Sequence, residues 1–165
     1  LVKNAETKGK DNNAAPAVRI HSKCFTGDTL ASMKCDCRDQ LEASLAYIHK
    51  NGGILVYLDQ EGRGIGLVNK IKAYSLQDAG FDTVEANYNL GFEEDLRDYE
   101  IAAEILRYLG TVRIKLLTNN PRKIKNLESN GITIVERISL EIKPNKFNNK
   151  YIETKKEKMK HLIEA

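Results

Sequence analysis

The chain has 165 residues, 41% of them hydrophobic, and a formal net charge of +3. This length fits one domain with its own core, and no apolar run approaches the roughly 20 residues that a membrane-spanning helix needs. The charge suits local anion binding but is too small to mark a nucleic-acid-binding protein. With no signal peptide in view, the expected location is the cytoplasm.

Leu1-Val2 reads as the tail of a strand, and Lys8-Gly9-Lys10-Asp11-Asn12-Asn13 as a polar, mobile loop. Residues 1–16 are therefore set apart, as a truncated or mobile segment, from a main domain over 17–165. Ala17-Val18-Arg19-Ile20 reads as a short strand. Leu41, Leu45 and Ile48 have helical spacing, stopped by Asn51-Gly52-Gly53. Ile54 to Leu58 is a continuous apolar run of buried-strand length. The glycine-rich turn Glu61-Gly62-Arg63-Gly64-Ile65-Gly66 follows, then a helix over Leu67 to Gln77. Ile101, Ile105 and Leu109 mark another helix, closed by Gly110. Val112 to Leu117 is a strand, Thr118-Asn119-Asn120-Pro121 opens a helix ended by Gly131, and Ile132 to Val135 is a further strand. Tyr151 to Ile163 reads as a charged helix with a solvated basic face. The alternation predicts an α/β fold, a single domain with a mixed sheet and flanking helices.

The only cysteines are Cys24, Cys35 and Cys37. In an extended segment Cys35 and Cys37 point to the same side, and Cys24 returns to them across Thr26-Gly27-Asp28. Three thiolates without a fourth protein ligand match a zinc site with an open position. An odd count argues against a complete disulfide framework. Plain burial of three small apolar side chains is the competing account, and spacing alone does not separate the two. His21 is left out of the metal shell, since a lone histidine is more often a structural residue.

Two strand-to-helix turns are able to hold phosphate. Backbone N–H groups at a helix start attract anions, and Arg63 adds a two-point donor to the glycine-rich turn. Leu67 stands where a dinucleotide fingerprint needs glycine, so the local pattern by itself favours a mere tight connection. In the second turn Thr118 and Lys123 are candidates for phosphate or base; the bland account is an asparagine N-cap and a solvated basic face. Asp95 and Arg97 precede the helix at Ile101. They read either as a proton-transfer group with a phosphate partner or as helix-capping polar residues.

Taken together, these segments resemble GTP cyclohydrolase II, the first committed enzyme of riboflavin synthesis. The resemblance rests on Arg19 to Asp28, Lys34-Cys35-Asp36-Cys37, Gln60 to Leu67, Asp82 to Asn87, Arg97-Asp98-Tyr99, Leu116 to Lys123 and Thr154 to Met159. It implies zinc on Cys24, Cys35 and Cys37. It implies Asp95 as the proton-transfer residue, Arg97 at the α-phosphate and Tyr74 as a further catalytic position. GTP contacts then fall on Arg19, Ile20, His21, Ser22, Lys23, Gln40, Glu61, Gly62, Arg63, Thr83, Thr118 and Lys123. The implied reaction opens the imidazole ring of GTP and releases formate and diphosphate, with Mg2+ on the phosphates. A homodimer is also implied, with no nucleic-acid or membrane partner.

The sequence departs from the family pattern at four places. Lys23 stands for a usual Glu, Arg38 for a Gly, Asp59 for an Arg, and Leu96 for an acid. Asp59 is expected to put negative charge near the phosphate turn and weaken GTP binding. Two rival readings remain: a paralogue acting on another nucleotide, and a non-catalytic zinc module binding RNA through Lys155, Lys156, Lys158 and Lys160.

Overall fold

A computed structural model describes residues 1–5 and 15–162. The loop expected over Lys8 to Asn13 lies outside the described residues, as does Ile163. Strands β1 (Val2–Lys3), β2 (Ala17–Ser22), β3 (Gly53–Leu58), β4 (Arg113–Leu117) and β5 (Thr133–Ile138) form one sheet in the order β1-β3-β2-β4-β5. β1 runs antiparallel to β3 and the other pairs are parallel, so the sheet is mixed as expected. Helices α1 (Cys37–Asn51), α2 (Gly66–Asp78), α3 (Thr83–Asn89), α4 (Glu100–Tyr108), α5 (Pro121–Ser129) and α6 (Asn149–Glu157) flank it. None is long and apolar enough to cross a membrane.

Alternation along β2 decides what each face carries. Val18 and Ile20 join Ile54, Val56, Ile114 and Leu116 in the core, under Ala102, Ala103 and Leu106 of α4 and Leu127 of α5. Successive strand side chains point to opposite faces, so Arg19 and His21 fall on the other side. Both are nonetheless buried, at 5% and 2% exposure. Arg19 donates to the Leu117 carbonyl at 3.1 Å and to Gln40 Oε1 of α1 at 2.6 Å.

Most elements follow the local signals. α1 stops at Gly52, whose φ of 75° a side chain would resist. Asn120 caps α5, its side chain accepting from the N–H groups of Arg122 and Lys123. α3 went unrecognised by periodicity because it is short, although Asp82 and Glu85 form a capping box at its start.

Two local expectations need correction. Cys35 and Cys37 are not in an extended segment: Asp36 occupies the N-cap of α1, and Cys37 is its first residue. The C-terminal helix is not simply a solvated face. It ends at Glu157, and Lys155, only 7% exposed, is ion-paired with Asp36 at 2.5 Å. Burial beside a distant carboxylate overrides the local alternation of acids and bases.

The parallel strands end side by side, with Ser22 in register with Leu58. Just beyond their carboxyl ends come Cys24 after β2, the Glu61–Gly64 turn after β3, and Thr118 to Asn120 after β4. Open α/β sheets hold ligands at this edge.

Candidate active site

The three thiols meet although their backbone is a wide turn running into a helix. Phe25 to Thr29 form a π-type turn, closed by the Leu30 N–H on the Phe25 carbonyl at 3.2 Å. Gly27 lets this knot close. A Cβ there would lie 2.9 Å from Cys35 Sγ and 3.1 Å from Cys24 Sγ. The three sulfurs lie within 4.8 Å of one another, and Cys24 and Cys35 are 3.7 Å apart.

This donor set fits zinc. Tetrahedral zinc with bonds near 2.3 Å separates its sulfurs by about 3.8 Å, close to the Cys24–Cys35 distance. The electrostatics agree. Hydrogen bonds from the Cys35 and Cys37 thiols, with the Lys70 ammonium at 2.9 Å, hold the Cys24 thiol far below its usual range despite burial. The Cys24 contact in turn pushes Cys35 up to about 11 and Cys37 well up. Three adjacent sulfurs do not all ionise without a cation among them.

Glu61 ties this loop to the glycine-rich turn. Its carboxylate accepts from the Phe25 N–H at 2.5 Å, the Gly62 N–H at 2.9 Å and Lys70 Nζ at 2.8 Å. Arg63 follows in the left-handed region, with φ of 60°. That conformation is costly for a residue with a side chain and is typical of functional turns. It leaves Arg63 Nη1 and Nη2 buried with no hydrogen-bond partner among the described residues.

These groups line one cleft with two halves. The thiol half encloses about 640 Å³ of empty space, including its open mouth, and holds the cysteines, Lys70, Tyr74, Thr83, Glu61 and Gly62. The second half, about 580 Å³, is lined by Arg19, His21, Gln40, Thr118, Lys123 and Lys155. Ser22, Cys37, Arg63, Arg97 and Tyr151 border both.

The second half is strongly cationic. Lys123, 4% exposed, donates to the Ile20 carbonyl at 2.6 Å. Burial, then the charges of Arg19 and Arg97, push its pKa well down. Burial also lowers Arg19 to about 10. Arg97 grips Asp95 through two contacts, Nε to Oδ1 at 2.8 Å and Nη2 to Oδ2 at 2.7 Å. Asp36 links the halves, accepting from Lys155 and from Gln40, which also receives Arg19.

A profile of the GTP cyclohydrolase II family matches residues 2–139. The chain belongs to the GTP cyclohydrolase II family. It is 58% identical over 161 residues to the riboflavin biosynthesis protein RibBA of Chlorobium phaeovibrioides, covering 96% of this chain and 39% of that protein. It is also 57% identical over 147 residues to the GTP cyclohydrolase-2 of Campylobacter hominis, covering 89% of this chain and 75% of that one. The chain thus spans about two-fifths of the RibBA relative's length.

Most residues singled out from the family resemblance gather in the cleft. Two stand differently. The Ile20 side chain lies in the core, and its carbonyl accepts from Lys123. Asp95 does not line either half and reaches the cleft through Arg97. His21 is held by Asp28, Nε2 to Oδ1 at 3.3 Å, and stacks on Tyr57. Sequence reading missed Lys70, Tyr151 and His161 and gave Lys155 only a solvated or RNA-binding role, yet all four line the cleft. Helical spacing from Gly66 would have pointed Lys70 toward the turn; nothing local marks the other three.

Two of the four departures from the family pattern answer each other. Lys23 Nζ lies 3.1 Å from Asp59 Oδ1. The Asp59 charge is thus paired and largely solvent-exposed, rather than set against a phosphate. Arg38 pairs with Glu42 one turn on, at the surface. Leu96 packs over the glycine-rich turn, where a Cβ on Gly64 would come within 2.9 Å of it.

Proposed function

We propose that this chain is a zinc-dependent GTP cyclohydrolase II of riboflavin biosynthesis, opening the imidazole ring of GTP and releasing formate and diphosphate. The supporting observation is one cleft with a three-thiol donor set in one half and unsatisfied guanidinium donors reaching the other. Bound by Cys24, Cys35 and Cys37, zinc supplies Lewis-acid chemistry.

The chain's own residues do the rest. Tyr74, hydrogen-bonded to Thr26 at 3.1 Å, is kept protonated by burial and serves as a proton donor. Arg63 and Arg97 take the phosphate oxygens, and Mg2+ arriving with the substrate would neutralise the remaining charge. Asp95 orients Arg97 and exchanges protons when substrate displaces that contact. Arg19, His21, Ser22, Lys23, Gln40, Thr83, Thr118 and Lys123 position the nucleotide.

The reading extends to a cytoplasmic homodimer. Three free thiols suit a reducing compartment. Ile101, Ile105 and Tyr108 leave an exposed apolar row on α4. Sedimentation velocity showing only monomer at working concentrations would remove the dimer.

Formate and diphosphate are to be quantified from GTP, from ATP and from pyrimidine triphosphates, alongside zinc content. We expect both products from GTP alone, one zinc per chain, and loss of zinc and formate in Cys35→Ser. Turnover of another nucleotide would favour a paralogue. Intact GTP with salt-sensitive RNA binding would favour a zinc-containing RNA-binding module.

A further inference from the structure

We propose that His161 is a substrate-contacting residue, brought over the cationic half of the cleft by a C-terminal strap to bind a phosphate group of the ligand. This rests on reading the cleft as a nucleotide site. His161 lines the cationic half, and its Nε2 is buried without a hydrogen-bond partner among the described residues. Buried polar nitrogens are seldom left unsatisfied, so one on a cavity-lining residue calls for a ligand atom.

The strap holding it is anchored at three separate elements. Lys155 pairs with Asp36 at the start of α1. Lys158 pairs with Asp82 and Glu85 at the start of α3. The Leu162 N–H donates to the Asn119 carbonyl beyond β4 at 2.8 Å. Between the last two anchors, Lys160 adopts φ of 54°, a left-handed turn that costs a non-glycine residue roughly 1 kcal/mol or more. The turn closes with the His161 N–H on the Lys155 carbonyl at 2.9 Å.

The surroundings select the ligand's charge. Burial first, then Lys155, Arg97, Arg63 and Lys123, push His161 down to about 3. A neutral imidazole adds a donor among these cations without adding repulsion. An anion with several acceptor oxygens satisfies His161 Nε2 and the open Arg63 nitrogens together. Sequence pattern hid this role because His161 lies beyond the last helix, with no motif spacing to the strand ends.

Wild type, His161→Ala and His161→Gln should be compared for inorganic pyrophosphate affinity, with magnesium, and for GTP KM and kcat. Losing one hydrogen bond to a charged group should weaken pyrophosphate binding and raise KM roughly tenfold in the alanine variant, with kcat moving less. Glutamine, which keeps a distal N–H donor, should restore most of it. Unchanged pyrophosphate affinity in His161→Ala overturns the proposal. So does an equal loss in both variants accompanied by a lowered melting temperature, which marks a structural role. His161-dependent pyrophosphate binding in a wild type that leaves GTP intact would support this contact while sinking the cyclohydrolase reading.

Discussion

Asp95 and Arg97 form a buried two-point ion pair at the edge of the cleft. Burial alone would raise the Asp95 carboxyl; hydrogen bonds and charge from Arg97 outweigh it and hold Asp95 below the usual carboxylate range. A carboxyl with a lowered folded pKa stabilises the fold above its unfolded pKa and loses that contribution as pH falls through the folded value. We therefore expect the melting temperature of Asp95→Asn to fall less steeply than wild type below about pH 4. Arg97→Ala should retain zinc yet slow diphosphate release by roughly a hundredfold. It also strands the Asp95 carboxylate, which costs about 3–5 kcal/mol when a buried pair is broken. Thermal melts of Arg97→Lys, which keeps the charge, separate the two effects. Normal diphosphate release by a folded Arg97→Ala would refute the phosphate role. The chemical identities of this pair were readable from their neighbours in the chain; their mutual engagement was not, because loop residues carry no periodicity to orient side chains.

At the scale of elements, local signals and tertiary demands part company. α4 presents Ala102, Ala103 and Leu106 to the sheet, all with no measurable exposure. Leu106→Ala should cost about 2–5 kcal/mol in denaturant unfolding, since the core leaves little room to collapse into the cavity. The helix was visible from the spacing of Ile101, Ile105 and Leu109, yet Ile101 and Ile105 are exposed and the small alanines meet the sheet. Apolar spacing found the helix but misread which stripe is buried, because alanine contributes little to a hydrophobic pattern while allowing close helix–sheet approach. α6 makes the same point through charge. Lys155→Met should leave the buried Asp36, between Cys35 and Cys37, with Gln40 but no cationic partner. We expect that variant to release zinc faster to a chromophoric chelator and to lose about 3 kcal/mol or more of stability.

For the whole molecule, a metal held as proposed would couple to the fold through the Cys24–Cys37 knot. Without a cation, Cys35 and Cys37 hold their protons beside an ionised Cys24. Zinc that binds the folded knot more tightly than the unfolded chain raises stability by mass action. Excess chelator should lower the melting temperature, and added zinc should restore it; an unchanged melt would deny the metal a folding role.

Periodicity, glycine stops, the Asn120 cap and the three closely spaced thiols were settled by neighbouring residues, since caps, turns and alternating faces depend on short-range geometry. The chain alone thereby determined the α/β class and the chemical inventory of its site. Only the tertiary structure decided that Lys155 would meet Asp36 across 119 residues, that Lys23 would pair with Asp59, and that His161 would line a cavity. Burial and ion pairing depend on which distant segments share a space, and no local pattern encodes that.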